Sequence, residues 1–598
     1  MGRAVEAFPL GRVRSPESAL EEGTNVLHRG RRAAALAASV AVCVGLAACG
    51  GQQLPESVVK GSEVTIGWSS TLTSSNAAMA ADATPGNLDV AALTRGRFAE
   101  LVNGEVVTDE SFGKVEVTGK EPFTVRYDLA EPTWSDGIPV DAADLVLAWA
   151  TGSDGEGGFD AVPTGLALGE RLASYEESER AIEVAFTQPV NDWSTALDVA
   201  VPAHVLGQLA LGIEDPMEAK KAVVDAIRGR DGSALARLAE TWNGDFRLST
   251  EGADPELLVS SGPYRVTDIS EQESGAMRVE LVANGEYTGK PAPSFERVEL
   301  LEMSDEEKME GLGKRVDVAQ LAPATERRKD VRMMERRDYG MSTSHDGTMW
   351  VLALRADGPP FARKESRAAF LRAVPRDDLT EAGGGAWADA YVASNAVVAA
   401  PESDGYEIAL EDAGFEAAFG KVSEDPGLER TNAGVPAGAT VCLLYDRRSS
   451  FAQNAYGVLR DVMAAAGWTL TDCGAPELTE LSGYPSGWQA ALIRVPVPRS
   501  AGDLTRWWGG EAKSNLPGLA NPRRDELIAQ WARTVDRYDA RDLQAQIEKT
   551  LVEDAVVLPI AMNPVVTVRV PEVEGVSPRP GPVASLTSGV AEWGRASR

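Results

Sequence analysis

Cysteine, histidine and tryptophan are the residues of this chain whose placement could do chemistry, and each type is scarce enough to follow individually: four Cys, three His and 13 Trp. Cys49 closes Leu46-Ala47-Ala48 at the end of an uncharged run, Ala33 to Ala48, that follows Arg29, Arg31 and Arg32. A thiol placed after a basic n-region, an apolar h-region and small residues reads as the attachment point of a lipid at the end of a secretory signal. The run is too short to span a bilayer comfortably, and Gly50, Gly51, Gln52 and Gln53 continue it as a polar tether. Cys43 leaves with the signal, so Cys442 and Cys473 remain, either as a disulfide in an oxidising compartment or as two buried free thiols. With His28 lost, His204 and His345 are too few and too distant for a His-rich zinc site. No H-E-x-x-H, G-x-x-x-x-G-K-[ST] or G-x-S-x-G string occurs, so no catalytic residue, metal or cofactor is assigned. Asp154-x-Glu156-x-Gly158-x-Asp160 lacks the glycine placement and terminal Glu of a calcium loop and reads as an acidic turn.

Aromatic side chains are the better sign of a pocket. Trp68, Trp350, Trp387, Trp507 and Trp508 fall at expected strand ends or in Gly-rich stretches, where a flat ring can face a cleft and meet a sugar, an aromatic group or a peptide side chain. Core packing competes with that reading for each one. Arg506, beside Trp507-Trp508, either meets a carboxylate or phosphate or pairs with a neighbouring acid.

The elements that must position these residues alternate between strand and helix. Glu63 to Trp68 reads as a strand ending in the Ser/Thr/Asn loop from Ser69 to Asn76. Val106-Val107, Val115 to Val117 and Thr124 to Leu129 read as strands separated by Gly and Pro turns. Val140 to Ala150 has helical spacing with Asp141 as cap. Residues 215 to 240 look like a charged helical surface insertion, Val441 to Cys473 reads strand, helix, strand, and Asp525 to Glu553 reads as two helices before a strand at Val556 to Ile560. Such mixed units indicate an α/β architecture, and 598 residues should divide into two or three domains. Net charge is −32, and removing residues 1 to 48, with six Arg and four Glu, makes it −34. That surface repels nucleic acid and keeps a tethered protein soluble. Residues 1 to 26 fit no secretory signal, and an initiator at Val26 or Leu27 is expected; amino-terminal sequencing of the precursor checks it.

Leu46-Ala47-Ala48-Cys49 resembles the bacterial lipoprotein box, which implies cleavage before Cys49 and an acyl-glycerol on its sulfur. Thr133 to Trp149, Thr-Trp-Ser-Asp-Gly-Ile-Pro-Val-Asp-Ala-Ala-Asp-Leu-Val-Leu-Ala-Trp, resembles the signature of extracellular solute-binding proteins family 5, the receptors of peptide, nickel and related ABC importers. Further likenesses follow in the family's order: Val201-Pro202-Ala203-His204-Val205, Ser261-Gly262-Pro263-Tyr264, Asn284-Gly285-Glu286-Tyr287, Val316-Asp317-Val318-Ala319, Pro359-Pro360-Phe361 with Arg367 and Ala368, Asn521-Pro522, and Leu558-Pro559-Ile560. The resemblance, over about residues 63 to 565, implies a two-lobe periplasmic-binding-protein-like fold (type II, cluster C) with an extra subdomain in the first lobe. It divides the chain into leader and signal (1–48), tether (49–60), lobe I (61–104 and 259–335), the extra subdomain (105–258), lobe II (336–540), and a lobe I return with tail (541–598).

The resemblance also makes Asn76 a hydrogen-bonding candidate, because the loop after the first strand contacts ligand in the family. Peptide-binding members carry, after a Trp in the second lobe, an Asp that anchors the peptide ammonium. Here the stretch from Trp488 to Asp503 reads Ile493-Arg494-Val495-Pro496-Val497-Pro498 and has no carboxylate at that place. Asp503 either substitutes from a shifted loop or is a solvated loop carboxylate. The reading is a monomeric lipid-anchored receptor on the extracytoplasmic face of the membrane, without catalysis. It captures a small organic solute or a peptide between its lobes and delivers it to an ABC permease. The alternative is a lipoprotein of the same fold that acts in cell-envelope glycolipid assembly without transport.

Overall fold

Two strands of unusual length, 15 and 13 residues, organise the molecule. They belong to a computed structural model that describes residues 54–598 apart from 154–156, 165–168, 177–179, 250–252, 402, 477, 479–486, 511–514, 582 and 597–598. The signal segment, Cys49, and Asp154 and Glu156 of the acidic turn lie outside the described residues. In chain order the strands are β1 (Val59–Trp68), the hairpin β2 (Ala99–Val102) and β3 (Glu105–Thr108), β4 (Gly113–Lys120), β5 (Phe123–Leu129), β6 (Gly169–Glu176), β7 (Ala181–Phe186), β8 (Tyr264–Glu271), β9 (Met277–Ala283), β10 (Phe295–Glu302), β11 (Val318–Leu321), β12 (Gly340–Leu354), β13 (Ala439–Tyr445), β14 (Trp468–Asp472), β15 (Ala490–Pro496) and β16 (Val557–Arg569).

A ten-stranded mixed sheet runs β14-β13-β15-β12-β16-β11-β1-β10-β9-β8. β1 lies parallel to both β10 and β11, so the run from Val64 to Trp68 is buried on both faces and shows no polar alternation. The long β12 and β16 are antiparallel partners that join two halves of the sheet: Val566 to Arg569 of β16 pairs with β11, and Thr348 to Leu354 of β12 pairs with β15. The chain therefore crosses between the halves twice. The β12–β16 ladder breaks where Pro564, which has no N–H to give, faces His345, and it resumes at Met349 opposite Met562. Asp346, Gly347 and Thr348 are looped out against Asn563 alone, an irregularity of the kind that re-aims a side chain. Gly347 takes φ +74°, which glycine adopts without a Cβ clash, and donates its N–H to His345 Nδ1 at 3.1 Å.

Successive residues of β12 feed opposite cores. Trp350, Leu352 and Leu354 pack with Phe361, Phe370, Phe451 and Trp468 on one face. Met349, Val351 and Ala353 pack with Leu504, Trp508, Trp531 and Ile547 on the other. Helices thus cover both faces of this half, the layered arrangement of an α/β protein. A separate four-stranded antiparallel sheet, order β4-β5-β7-β6, has its own core of Val125, Tyr127, Leu145, Val184, Leu206 and Trp242. The segment 215–240 corrects one expectation. Asp215 caps the helix Pro216–Gly229, and Val223, Val224 and Ile227 are buried in this core, so the helix is a structural wall rather than a surface insertion.

The local motifs act as scaffold. Gly137 turns at φ +88°, Asp141 caps the helix Ala142–Gly152 in a reciprocal capping box with Asp144, and Trp134 is fully enclosed. Asp144 also accepts from Ala203 N–H at 2.8 Å and from Lys220 Nζ at 2.7 Å, clipping three helices together. Arg367, of the Pro-Pro-Phe helix, donates to the carbonyl oxygens of Phe361 and Asp554. Cys442 and Cys473 form a disulfide with Cα atoms 5.5 Å apart, because the parallel pairing of β13 with β14 sets Cys442 opposite Thr471 and leaves Cys473 just past the strand end.

Candidate functional site

A cavity of about 180 Å³ opens where the two crossings meet the carboxyl ends of β1 and β11. Ligands of open α/β sheets lodge outside such strand ends. Its lining draws on distant parts of the chain: Trp68 from β1, Asp89 from the helix Pro85–Thr94, Lys308 from the helix Asp305–Gly311, Gln320 from β11, the looped-out Asp346, and Thr587 near the end of the sequence.

Three ionic groups shape this cavity, and their surroundings differ. Asp89 accepts Trp68 Nε1–H at 2.8 Å on one oxygen and Ala584 N–H at 2.7 Å on the other. Burial raises its carboxyl above the ordinary range, while the two hydrogen bonds pull it back. Lys308 donates all three protons, to Ser69 Oγ, Asp305 Oδ1 and the Gln320 carbonyl, and burial lowers its pKa against the pull of Asp305. Asp346 accepts from Thr348 on Oδ1, and on Oδ2 from Arg494 Nη1 at 2.9 Å and Asn563 Nδ2 at 2.7 Å. Asn563 in turn accepts Trp350 Nε1–H at 2.9 Å, and Trp350 stacks on Phe451, which stacks on Tyr391. The Thr587 hydroxyl is enclosed, at 3% exposure for the residue, and has no hydrogen-bond partner.

The residues singled out from sequence fare unequally. Trp68 lines the cavity, and Trp350 stands two hydrogen bonds behind it, through Asn563 to Asp346. Asn76 is buried, donating to the Trp242 carbonyl at 3.0 Å and so tying the loop after β1 to the four-stranded sheet's core. Trp387 is inserted among Leu301, Val316 and Val566, with Nε1–H on the Ala324 carbonyl at 2.7 Å and the Arg328 guanidinium 4.2 Å over its ring. Asp503 corrects the loop expectation: it is the third residue of the helix Ala501–Trp508 and closes the capping box begun by Ser500, accepting Ser500 N–H at 3.1 Å. Arg506 and Trp507 follow on that helix, and Trp508 is 1% exposed in the core on the sheet face opposite Trp350. The structure thus sets Trp68 on the cavity, keeps Trp350 in the core behind it, and places the Asp503 to Trp508 group elsewhere.

Sequence reasoning missed Asp89, Lys308, Asp346 and Thr587. The Asp346-Gly347 pair inside an otherwise strand-like run was a readable signal, since an isolated glycine in a strand marks a bulge. Among the described residues no helix is long and apolar enough to cross a membrane.

With this geometry in hand, comparison with known proteins places the chain. An uncharacterized lipoprotein of Mycobacterium tuberculosis is 25% identical over 478 residues, 77% of this chain and 80% of that protein. One from Mycobacterium leprae is 30% identical over 197 residues, 32% of this chain and 33% of that protein. Among solved structures, a periplasmic EDTA-binding protein, EppA, superposes with TM-score 0.73 at 18% identity, covering 90% of this chain and 98% of its own. The oligopeptide-binding protein AppA of Bacillus subtilis, in complex with a nonapeptide, gives TM-score 0.60 at 14% identity, covering 90% and 99%. Those likenesses share the fold, and the sequence itself decides the family: residues 122–469 match the description "Bacterial extracellular solute-binding proteins, family 5 Middle", and the chain belongs to that family.

Proposed function

We propose that this protein is a lipid-anchored, extracytoplasmic solute receptor that traps a small organic solute in the cavity at the strand crossings and hands it to an ABC permease. The observation that carries this reading is the double crossing by β12 and β16, with a bulge that turns Asp346 into the cavity. Two halves joined by two strands move by hinge rotation, and a ligand that touches both stabilises the shut form by its differential affinity for it. The first lobe comprises the β11-β1-β10-β9-β8 half with the four-stranded sheet, and the second the β14-β13-β15 half. Family membership, lipoprotein relatives and the Cys49 segment support anchorage outside the cytoplasm. Contacts across the halves are already made: Asn191 N–H donates to the Ala532 carbonyl at 2.9 Å, and Glu105 lies 3.9 Å from Arg537. A peptide held by its ammonium in the second lobe is disfavoured, because Arg494 occupies the stretch where the family's peptide-binding members place a carboxylate. Mass spectrometry of small molecules released from the purified protein tests the reading. A released solute whose re-addition raises the melting temperature supports it; an empty protein that responds to no peptide, chelate, sugar or amine overturns it.

A further inference from the structure

We propose that the cavity takes a protonated amine, with the ammonium of the captured solute set against Asp89. The proposal rests on the capture reading above and names the class of solute.

Asp89 lines the cavity, and each of its oxygens holds a single N–H, from Trp68 and from Ala584, which leaves further lone pairs to accept with. Among the described residues no cation forms an ion pair with it. Lys308 spends its three protons on Ser69, Asp305 and Gln320, and Arg494 is engaged by Asp346. A buried carboxylate without a counter-charge is costly, and a ligand that brings the missing cation recovers that cost on binding.

Other solutes fit less well. An anion would find the Lys308 protons already used and would face Asp89 uncompensated. A neutral polyol would leave the Asp89 charge unbalanced. The whole-chain charge of −32 raises the local concentration of cations and lowers that of anions near the cleft. The amine end is therefore held from the first half of the sheet, where Asp89 stands on the cavity wall.

The full anchored chain, purified in mild detergent, provides the test. Bound small molecules are released by denaturation and analysed by mass spectrometry with and without dansylation, which tags primary and secondary amines. In parallel, cadaverine against its diacetylated form and glucosamine against glucose are titrated by thermal shift. The expected solute carries a basic nitrogen, and the amines raise the melting temperature where their neutral partners do not. Asp89→Asn, with its circular dichroism unchanged, should weaken amine binding by about tenfold or more. A released solute with no protonatable nitrogen, neutral partners that bind as well as the amines, or full affinity in Asp89→Asn would overturn the amine assignment while leaving capture intact. An empty protein that ignores every probe would overturn capture itself.

Discussion

Glu548 illustrates how one buried residue sets a pH dependence. Its Oε2 accepts both Val397 and Val398 N–H, at 2.8 and 2.9 Å, inside the core of the second half. Burial pushes its carboxyl up from 4.5 to about 7, against those two bonds and the Arg524 charge. A raised value means that the folded chain holds a proton the unfolded chain has released. The stabilisation is complete below pH 4.5 and is lost as pH climbs through about 7, a swing of about 3 kcal/mol. Glu548→Gln keeps an acceptor for the two N–H groups and removes the titration. Urea midpoints measured at pH 5 and pH 8 should therefore differ less in the variant than in the parent chain, and equal differences would refute the assignment.

At the scale of elements, the bulge in β12 is the feature on which the cavity turns. Gly347→Val imposes a side chain on a left-handed residue at a cost of about 1–2 kcal/mol. The chain should still fold, with the Asp346 carboxylate re-aimed and affinity for the released solute reduced by about tenfold in a binding titration. The helix that walls the four-stranded sheet gives a stability test. Lys220 Nζ meets Asp144 at 2.7 Å, Asp141 at 3.1 Å and the Pro139 carbonyl at 2.6 Å, all but sealed from water. Lys220→Met leaves two carboxylates facing each other and should cost about 3–5 kcal/mol in urea denaturation. These elements were largely legible beforehand: capped helices and alternating or all-apolar strands announce themselves locally, as Asp141 and the run to Trp68 do. The cavity was not, because Asp89, Lys308, Asp346 and Thr587 are separated by tens to hundreds of positions and carry no periodicity. Tryptophans drew attention by rarity, yet Trp508 and Trp387 are spent on packing, which is the commoner fate of large rings. The helical register that hides Trp508 and the capping box that employs Asp503 depend on where a helix starts, the least readable boundary in a chain.

Across the whole molecule, cross-links decide what moves together. The disulfide closes a separation of 31 residues around β13, the helix Ser450–Ala465 and β14, at the edge of the second half. By loop-closure entropy it contributes about 3–4 kcal/mol. The Cys442→Ser, Cys473→Ser double variant should melt lower by several degrees in calorimetry yet keep its solute, since neither sulfur approaches the cavity lining. Trp387 acts differently: its ring, lodged among Leu301, Val316 and Val566, ties the segment Gly385–Ala390 to the core beside the crossing strands.

The provenance of the cavity wall has a further implication for biogenesis. Trp68 and Asp89 emerge early from the ribosome and the exporting channel, whereas Thr587 arrives last. A nascent or clipped product that stops after Arg569 would own both crossing strands and still lack one side of the chamber. Completion of the wall thus waits on the final stretch of synthesis, and a copy ending after Arg569 should fail to give the thermal-shift response expected of the intact chain under the proposed capture.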